Sequence, residues 1–240
     1  MLQAGPEYRF ATSQLMLLAA QCMDFTDATG RSAASTMIQT LLTEVPAVAA
    51  EAEQQQLGQG GHRNTWHLAL ALFLRKVYGS PAELADAMLG VLGTLHGRAG
   101  FAGGADGSSA AGPPEAAWLH TLGVAALLLE QLSTARAALV ASSPFTLEAA
   151  LNQLIQPGLR RSSAVRREAA RCLGLYCLLA DIPTALVTHV RVLRELLISN
   201  EAPGVKAIAA QVRRQVVECH AMLPTCNVVA VQGCQLGALG

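Results

Sequence analysis

Aromatic residues make up only 4% of this 240-residue sequence, and runs of β-branched residues are scarce. VVAV at residues 228–231 is the only strand-like run, whereas alanine and leucine dominate, which favours helices over sheets. No apolar run approaches the ~18 residues that a membrane-spanning helix needs. The apolar stretch 15–20 follows Glu7 and Arg9 rather than a basic segment, so we expect no signal peptide and no membrane partner.

Motifs for catalysis and metal binding are also missing. The sequence has no phosphate loop, no dinucleotide fingerprint and no recognisable serine–histidine–acid motif, so we expect neither catalysis nor a small-molecule substrate or cofactor. No CxxC pair or zinc-like spacing occurs, so no metal site is predicted; Asp24 and Asp27 are interpreted as turn and cap residues. We expect reduced cysteines, most of them in the core of an intracellular protein. The cysteines are Cys22, Cys172, Cys177, Cys219, Cys226 and Cys234, and the scattered histidines are His62, His67, His96, His120, His189 and His220.

The formal net charge is zero, but it is divided unevenly along the chain. Residues 1–159 carry 7 Lys/Arg and 12 Asp/Glu, a balance of −5, whereas residues 160–240 carry 10 and 5, a balance of +5. This division favours an acidic partner for the second part, although the arginines would also suit solvated helix faces.

Apolar residues recur at helical spacing along most of the chain. In the second predicted helix the expected buried positions are Ala34, Met37, Ile38, Leu41 and Leu42. Helices are predicted from Phe10 to near Phe25, from a cap at Thr26 or Asp27 to Pro46, from Trp66 to Tyr78, from the Ser80-Pro81 cap to about Leu95, from Ala116 to about Ala141, and from Thr146 to Ile155, before a break at Pro157-Gly158.

A glycine-rich stretch divides the chain. Residues 97–115 hold six glycines and two prolines with almost no bulky residue, so they cannot bury enough apolar surface to offset the entropy of ordering. We therefore predict N-terminal helical repeats over 1–96, a flexible linker over 97–115, C-terminal HEAT-like repeats over 116–223 and a disordered tail over 224–240.

An internal repeat defines the fold class. The sequence VRREAA at 165–170 matches VKAIAA at 205–210, each site follows a turn signal, and Pro183 opens a second helix between them that reaches Ile198. A helix–turn–helix unit with a period near forty residues is typical of HEAT and armadillo repeats. The sequence thus predicts an all-α fold, an α-α superhelix. In the first helix of the unit, one buried face should contain Val165, Ala169, Cys172, Tyr176 and Leu179, with Leu173, Leu175 and Leu178 covering other faces.

Two segments resemble the condensin subunit 3 family, also called the condensin G subunit. Residues 154–211 resemble its C-terminal HEAT region, with a leucine–isoleucine–x–proline turn at 154–157 and a VRxxAxxCLGL helix at 165–175. Residues 14–42 are similar to a segment of the family in which a leucine-rich helix leads into an aspartate-rich turn and then a DxxGR helix, here Asp27, Gly30 and Arg31. The chain is far shorter than the usual subunit of this family, and its glycine-rich stretch departs from the family pattern.

This resemblance implies a non-enzymatic HEAT-repeat scaffold that binds the kleisin and SMC subunits of condensin and contacts double-stranded DNA. It further implies a role in mitotic chromosome condensation, and a location in the nucleus and on mitotic chromosomes with a cytoplasmic pool. The alternatives are a generic α-solenoid adaptor without DNA binding and an all-helical enzyme, for which the sequence offers no cluster of polar groups.

A cluster of arginines near the repeat is the candidate site for an anionic partner such as DNA. Arginines neutralise phosphates and release counterions, which makes the affinity depend on salt. The alternative is that they solvate the edge of a repeat or pair with Glu168 and other acids. Arg191, Arg194, Arg213 and Arg214 would extend the cluster if successive repeats align them. The candidate DNA-binding residues are Arg160, Arg161, Arg166, Arg167 and Arg171.

Overall fold

A computed structural model of the chain describes residues 6–44, 65–98, 101, 113–135, 145–179, 183–198 and 202–221. These residues form nine helices and no strand, as the sequence predicts. The helices are α1 (Pro6–Cys22), α2 (Ala28–Glu44), α3 (Thr65–Val77), α4 (Pro81–Arg98), α5 (Glu115–Ala135), α6 (Leu147–Ala150, a π-helical segment Leu151–Ile155 and Gln156–Gly158, run together), α7 (Ser163–Leu179), α8 (Pro183–Ile198) and α9 (Pro203–Ala221).

The helices stack as an α-α superhelix. The odd-numbered helices form one continuous layer, in which α1 packs on α3, α3 on α5, α5 on α7 and α7 on α9. On the other side, α2 packs on α4, while α6 and α8 both pack against α7. One hydrophobic core runs along the stack from Met16 in α1 to Ala209 in α9. Because each helix contacts several neighbours, the surfaces that one hairpin cannot bury alone are covered by the next.

The predicted repeat is confirmed at the level of single side chains. Val165 and Val205 are each 1% exposed, and Ala169 and Ala209 are fully buried. The alanines let α7 and α9 approach closely, and the starts of the two helices lie side by side, since a Cβ atom on Gly204 would lie 3.7 Å from Cδ of Arg167. The forty-residue period in the sequence therefore corresponds to one step of the stack.

The face predicted for α7 is largely correct. Val165, Ala169 and Cys172 of this face are buried, whereas Tyr176 and Leu179 are only half-buried. Of the residues predicted on other faces, Leu173 is buried and Leu175 and Leu178 are half-buried, and Gly174 and Cys177 also join the core.

Local capping explains where several helices begin. The Asp27 carboxylate accepts a hydrogen bond from the Gly30 amide at 2.7 Å, and the Ser80 hydroxyl accepts one from the Glu83 amide at 3.2 Å. Both residues were predicted as caps, because a side-chain oxygen there satisfies an amide that the helix leaves without a partner. Thr146 caps α6 in the same way, accepting from Ala149.

Three predictions about the helices need correction. Met37 is 45% exposed rather than buried, because α2 turns its Ala34, Ile38 and Leu42 positions into the core, with Leu41 half-buried against it. Cys22 at the end of α1 is exposed, unlike the buried Cys172 and Cys177. Helix α6 continues through Pro157 and Gly158: the Gln156 amide donates to the Leu151 carbonyl, five residues back, and this π-helical segment precedes the proline.

Other predictions fall outside the described residues. Helix α4 includes Gly97 and Arg98, and α5 begins at Glu115, but residues 99, 100 and 102–112 of the predicted linker are outside, as are 136–144. The division into domains and the tail at 224–240, with its VVAV run, stay predictions. None of the described helices is long and apolar enough to cross a bilayer.

Candidate functional site

The five candidate arginines lie around the turn that joins α6 to α7. Arg160 and Arg161 occupy the turn itself, where their amides donate to the carbonyls of Pro157 and Gly158, each at 3.1 Å. Arg166, Arg167 and Arg171 follow on the first turns of α7. Ser162 ends the turn, because its carbonyl accepts the first helical hydrogen bond, from Arg166 at 2.8 Å. The sequence prediction therefore groups residues that are neighbours in the fold.

Gly158 allows the end of α6 to approach the neighbouring helices closely. A Cβ atom at this position would lie 3.0 Å from Cβ of Ala169 in α7 and 3.4 Å from Cδ1 of Leu122 in α5. A Cβ contact of 3.0 Å is tighter than nine in ten of those found in proteins, so a neighbour would have to shift by a few tenths of an ångström. The absence of a side chain at Gly158 therefore fixes the position of the turn that carries Arg160 and Arg161.

A polar cleft opens beside this turn. It has a volume of about 450 Å³ and is lined by Asn152, Gln156, Pro157, Arg160 and Arg161. Asn152 and Gln156 stand one helical turn apart on α6, and the Gln156 amide donates to Oδ1 of Asn152 at 3.3 Å. The cleft thus combines two guanidinium groups with two side-chain amides that offer both donors and acceptors.

Arg161 is held in place by its surroundings. Its guanidinium carbon lies 5.2 Å from the ring centroid of Trp118, a cation–π contact with a residue that is 3% exposed. The Arg166 guanidinium donates to the Arg161 carbonyl at 2.8 Å. These two contacts fix one side chain and the backbone beside it, so the edge of the cleft is ordered before any ligand arrives.

Arg167 and Arg171 are engaged with carboxylates. Arg167 lies 3.2 Å from Glu168, and Arg171 pairs with Glu130 of α5 and lies 3.6 Å from Glu168. Burial by itself lowers the pKa of the Arg171 guanidinium, but the nearby acidic groups, Glu130 and Glu168 foremost, together outweigh burial and the pKa is raised. Arg171 is therefore protonated, and the carboxylates of Glu130 and Glu168 balance its charge. The pair with Glu130 joins α7 to α5.

The predicted cluster is accordingly divided in two. Arg160 and Arg161 are exposed, and neither lies within 4 Å of a carboxylate among the described residues. Arg166 and Arg167 are half-buried, like Arg171. Of the four arginines predicted to extend the cluster, Arg191 is exposed and pairs with Glu195 at 3.2 Å, Arg194 and Arg214 are exposed, and the side chain of Arg213 is outside the described residues.

The remaining titratable groups support structure rather than a second site. In the parts of the chain that the structure describes, no three His, Cys, Asp or Glu side chains come together as a metal site would require. His120 bonds through Nε2 to the Leu42 carbonyl at 2.8 Å, and burial lowers its pKa. The Cys172 thiol donates to the Leu122 carbonyl at 3.3 Å, and burial raises the pKa of this thiol. Asp24 accepts from the Thr26 amide at 2.9 Å, as expected for a turn residue.

Two residues of the site were missed by the sequence reasoning. Glu130 lies 41 positions before Arg171, and Trp118 lies 43 positions before Arg161, so no local spacing links either pair. Both belong to α5, the neighbour of α7 in the stack. An arginine in or near the start of a repeat helix is a weak signal for a partner on the preceding helix of the stack, and it does not identify the residue that provides this partner.

Comparison with known families gives one match in the C-terminal part. Residues 120–222 match the model of the family described as nuclear condensing complex subunits, C-terminal domain. The match spans most of α5 and all of α6 to α9, which includes the candidate site, and it covers less than half of the chain. It confirms the resemblance predicted for residues 154–211. The search of curated proteins found no match to this chain.

Proposed function

From the match of residues 120–222 to the model of nuclear condensing complex subunits, we propose that the chain is a non-catalytic scaffold of condensin that binds the kleisin subunit and, with it, the SMC subunits. The observation that carries the proposal is the continuous stack of α5, α7 and α9 within the matched segment. Stacked helical hairpins of this kind present extended surfaces to protein partners. The proposed location is the nucleus, on mitotic chromosomes, with a cytoplasmic pool.

A pull-down with the kleisin subunit tests this proposal. The full chain is expected to be retained by tagged kleisin at low and at near-physiological salt. An unrelated acidic polypeptide serves as the control bait, because it separates specific binding from charge-driven adsorption. Equal retention on both baits, or no retention on kleisin at low salt, would contradict the scaffold role in condensin and favour a generic solenoid adaptor.

Double-stranded DNA is a second candidate partner. Two observations favour it: residues 160–240 carry a net charge of +5, and Arg160 and Arg161 are exposed. Each phosphate contact contributes about −0.9 to the slope of log affinity against log salt. Raising salt from about 50 to about 200 mM should therefore weaken binding ~500-fold if all five arginines reach phosphates, and only ~12-fold if two of them do.

A gel-shift titration at these two salt concentrations measures the difference. The ion pairs of Arg167 and Arg171 with Glu168 and Glu130 lead us to expect the smaller value. Binding that does not depend on salt, or no binding at low salt, would remove DNA from the proposed partners without affecting the kleisin experiment.

A further inference from the structure

The cleft beside the α6–α7 turn has a shape and composition that suit a peptide better than a duplex. Its volume of about 450 Å³ falls within the range of ~300–1,000 Å³ that is usual for ligand pockets. The backbone of a duplex contacts protein over an extended face, whereas this cleft is lined by only five residues of one turn and one helix end. An extended peptide can place successive side chains in it.

The charge of the cleft points to an acidic ligand. Arg160 and Arg161 both line it, and in the described parts of the chain no carboxylate lies within 4 Å of either. Each guanidinium presents a planar fork of donors that matches a carboxylate with two parallel hydrogen bonds. Because Trp118 and the contact from Arg166 already hold Arg161, less side-chain freedom is lost on binding.

The two amides of the cleft distinguish a peptide from a phosphate backbone. Asn152 and Gln156 each carry one oxygen acceptor as well as an NH₂ donor group. A peptide main chain provides N–H donors and C=O acceptors and can satisfy both kinds of group. A phosphodiester backbone provides acceptors only, so the amide oxygens of Asn152 and Gln156 would gain no partner from it.

The surroundings of the cleft also oppose a polyanion. Glu168 pairs with Arg167 on α7 and Glu130 of α5 pairs with Arg171, so the surface that the five candidate arginines form carries negative as well as positive charge. A duplex that covers this surface would bring phosphates close to both carboxylates. A short peptide that occupies only the cleft would avoid them.

We infer that the cleft formed by Asn152, Gln156, Pro157, Arg160 and Arg161 is a docking site for an acidic, extended peptide segment of a protein partner. Carboxylates of the segment pair with Arg160 and Arg161, and its main chain bonds to Asn152 and Gln156. The inference rests on the proposed scaffold function, because it assigns to one surface of the scaffold the chemistry of the segment that it takes.

Fluorescence anisotropy with defined peptides tests the inference on the full chain. The probe is a labelled peptide in which Glu alternates with Ser, and its counterpart carries Gln in place of Glu. We expect the parent chain to bind the Glu peptide and to bind the Gln peptide at least ~10-fold more weakly. The double variant R160Q/R161Q should bind the Glu peptide about 10-fold more weakly than the parent chain does, because charge-assisted hydrogen bonds are lost. The variant N152A/Q156A should weaken binding of the Glu peptide by a few-fold, through lost main-chain contacts.

R191Q is the matched control variant. Arg191 is also an exposed arginine but lies on α8 beside Glu195, away from the cleft. Equal losses in R191Q and R160Q/R161Q would show adsorption to general positive charge and overturn the inference. Equal affinity for the Glu and Gln peptides would also overturn it. So would displacement of the Glu peptide by a DNA duplex at a concentration of phosphate groups equal to the concentration of peptide carboxylates. Unchanged unfolding midpoints of the variants confirm that any loss is local. Kleisin pull-down by the same variants reports separately on the scaffold function.

Discussion

Replacing Gly158 with alanine tests whether the approach of α6 to α7 sets the position of the candidate site. In an ordinary helix this change stabilises the protein by up to about 1 kcal/mol, because alanine loses less backbone entropy than glycine on folding. Here the new Cβ atom would lie 3.0 Å from Cβ of Ala169, which is attached directly to the backbone of α7 and cannot rotate away. Overpacking of this kind costs ~1–3 kcal/mol. We therefore expect G158A to be destabilised by about 1 kcal/mol.

Urea denaturation followed by far-ultraviolet circular dichroism measures this effect. With a denaturant slope of ~2 kcal/mol per molar, a loss of 1 kcal/mol lowers the unfolding midpoint by about 0.5 M. G90A is the matched control, because a Cβ on the exposed Gly90 of α4 would meet no atom within 4 Å, so this variant should be slightly more stable than the parent chain.

A double-mutant cycle identifies the contact. A169G removes the Cβ atom that opposes the new methyl group, so it should cost ~1 kcal/mol less in the G158A background than in the parent chain. Additive effects in the cycle, or a G158A variant that gains stability like G90A, would refute the close-approach argument.

Three further predictions concern charge and exposure. R171A removes the cation from between two carboxylates and should destabilise the fold by ~1 kcal/mol, whereas R191A, which breaks an exposed pair, should cost at most ~0.5 kcal/mol in the same urea titration. Burial lowers the pKa of His120 below its ordinary value of 6.5, so the unfolded chain binds more protons than the folded chain near that pH. The free energy of unfolding should therefore fall as the pH drops from 7.5 to 5.5, and it should fall less in H120Q. Unfolding midpoints measured at the two pH values will show the difference. Iodoacetamide should modify the exposed Cys22 well before Cys177, whose pKa burial raises to about 12, as mass spectrometry of the alkylated peptides will show.

The fold was predictable from the sequence because its signals are local or periodic. The caps at Asp27, Ser80 and Thr146 act within three residues, so the starts of three helices follow from short patterns. The step from Val165 to Val205 is a sequence period, and the structure repeats it as two equally buried positions. The exposure of Met37 was not predictable, because a helix with apolar residues on several faces does not show which of them a neighbour covers.

The site was only partly predictable, since its decisive contacts join residues distant in the sequence. Arg167 and Arg171 are four residues apart, a spacing that places both side chains on one face of a helix. It could not show that Glu130 and Glu168 neutralise that face, or that Trp118 holds Arg161. The continuation of α6 through Pro157 was missed for a similar reason: a π-helical segment changes the hydrogen-bond pattern before the proline, and composition carries no clear signal for it.

The charge that a partner meets is set by neighbouring helices of the stack rather than by segments of the chain. Counted along the sequence, residues 160–240 carry an excess of +5, which suggests a polyanion. Counted in space, the five candidate arginines share their surface with Glu130 and Glu168, so the local balance is 5 − 2, or +3. Two of the three remaining charges, those of Arg160 and Arg161, point to one cleft. A short acidic ligand matches this distribution of charge more closely than an extended polyanion does.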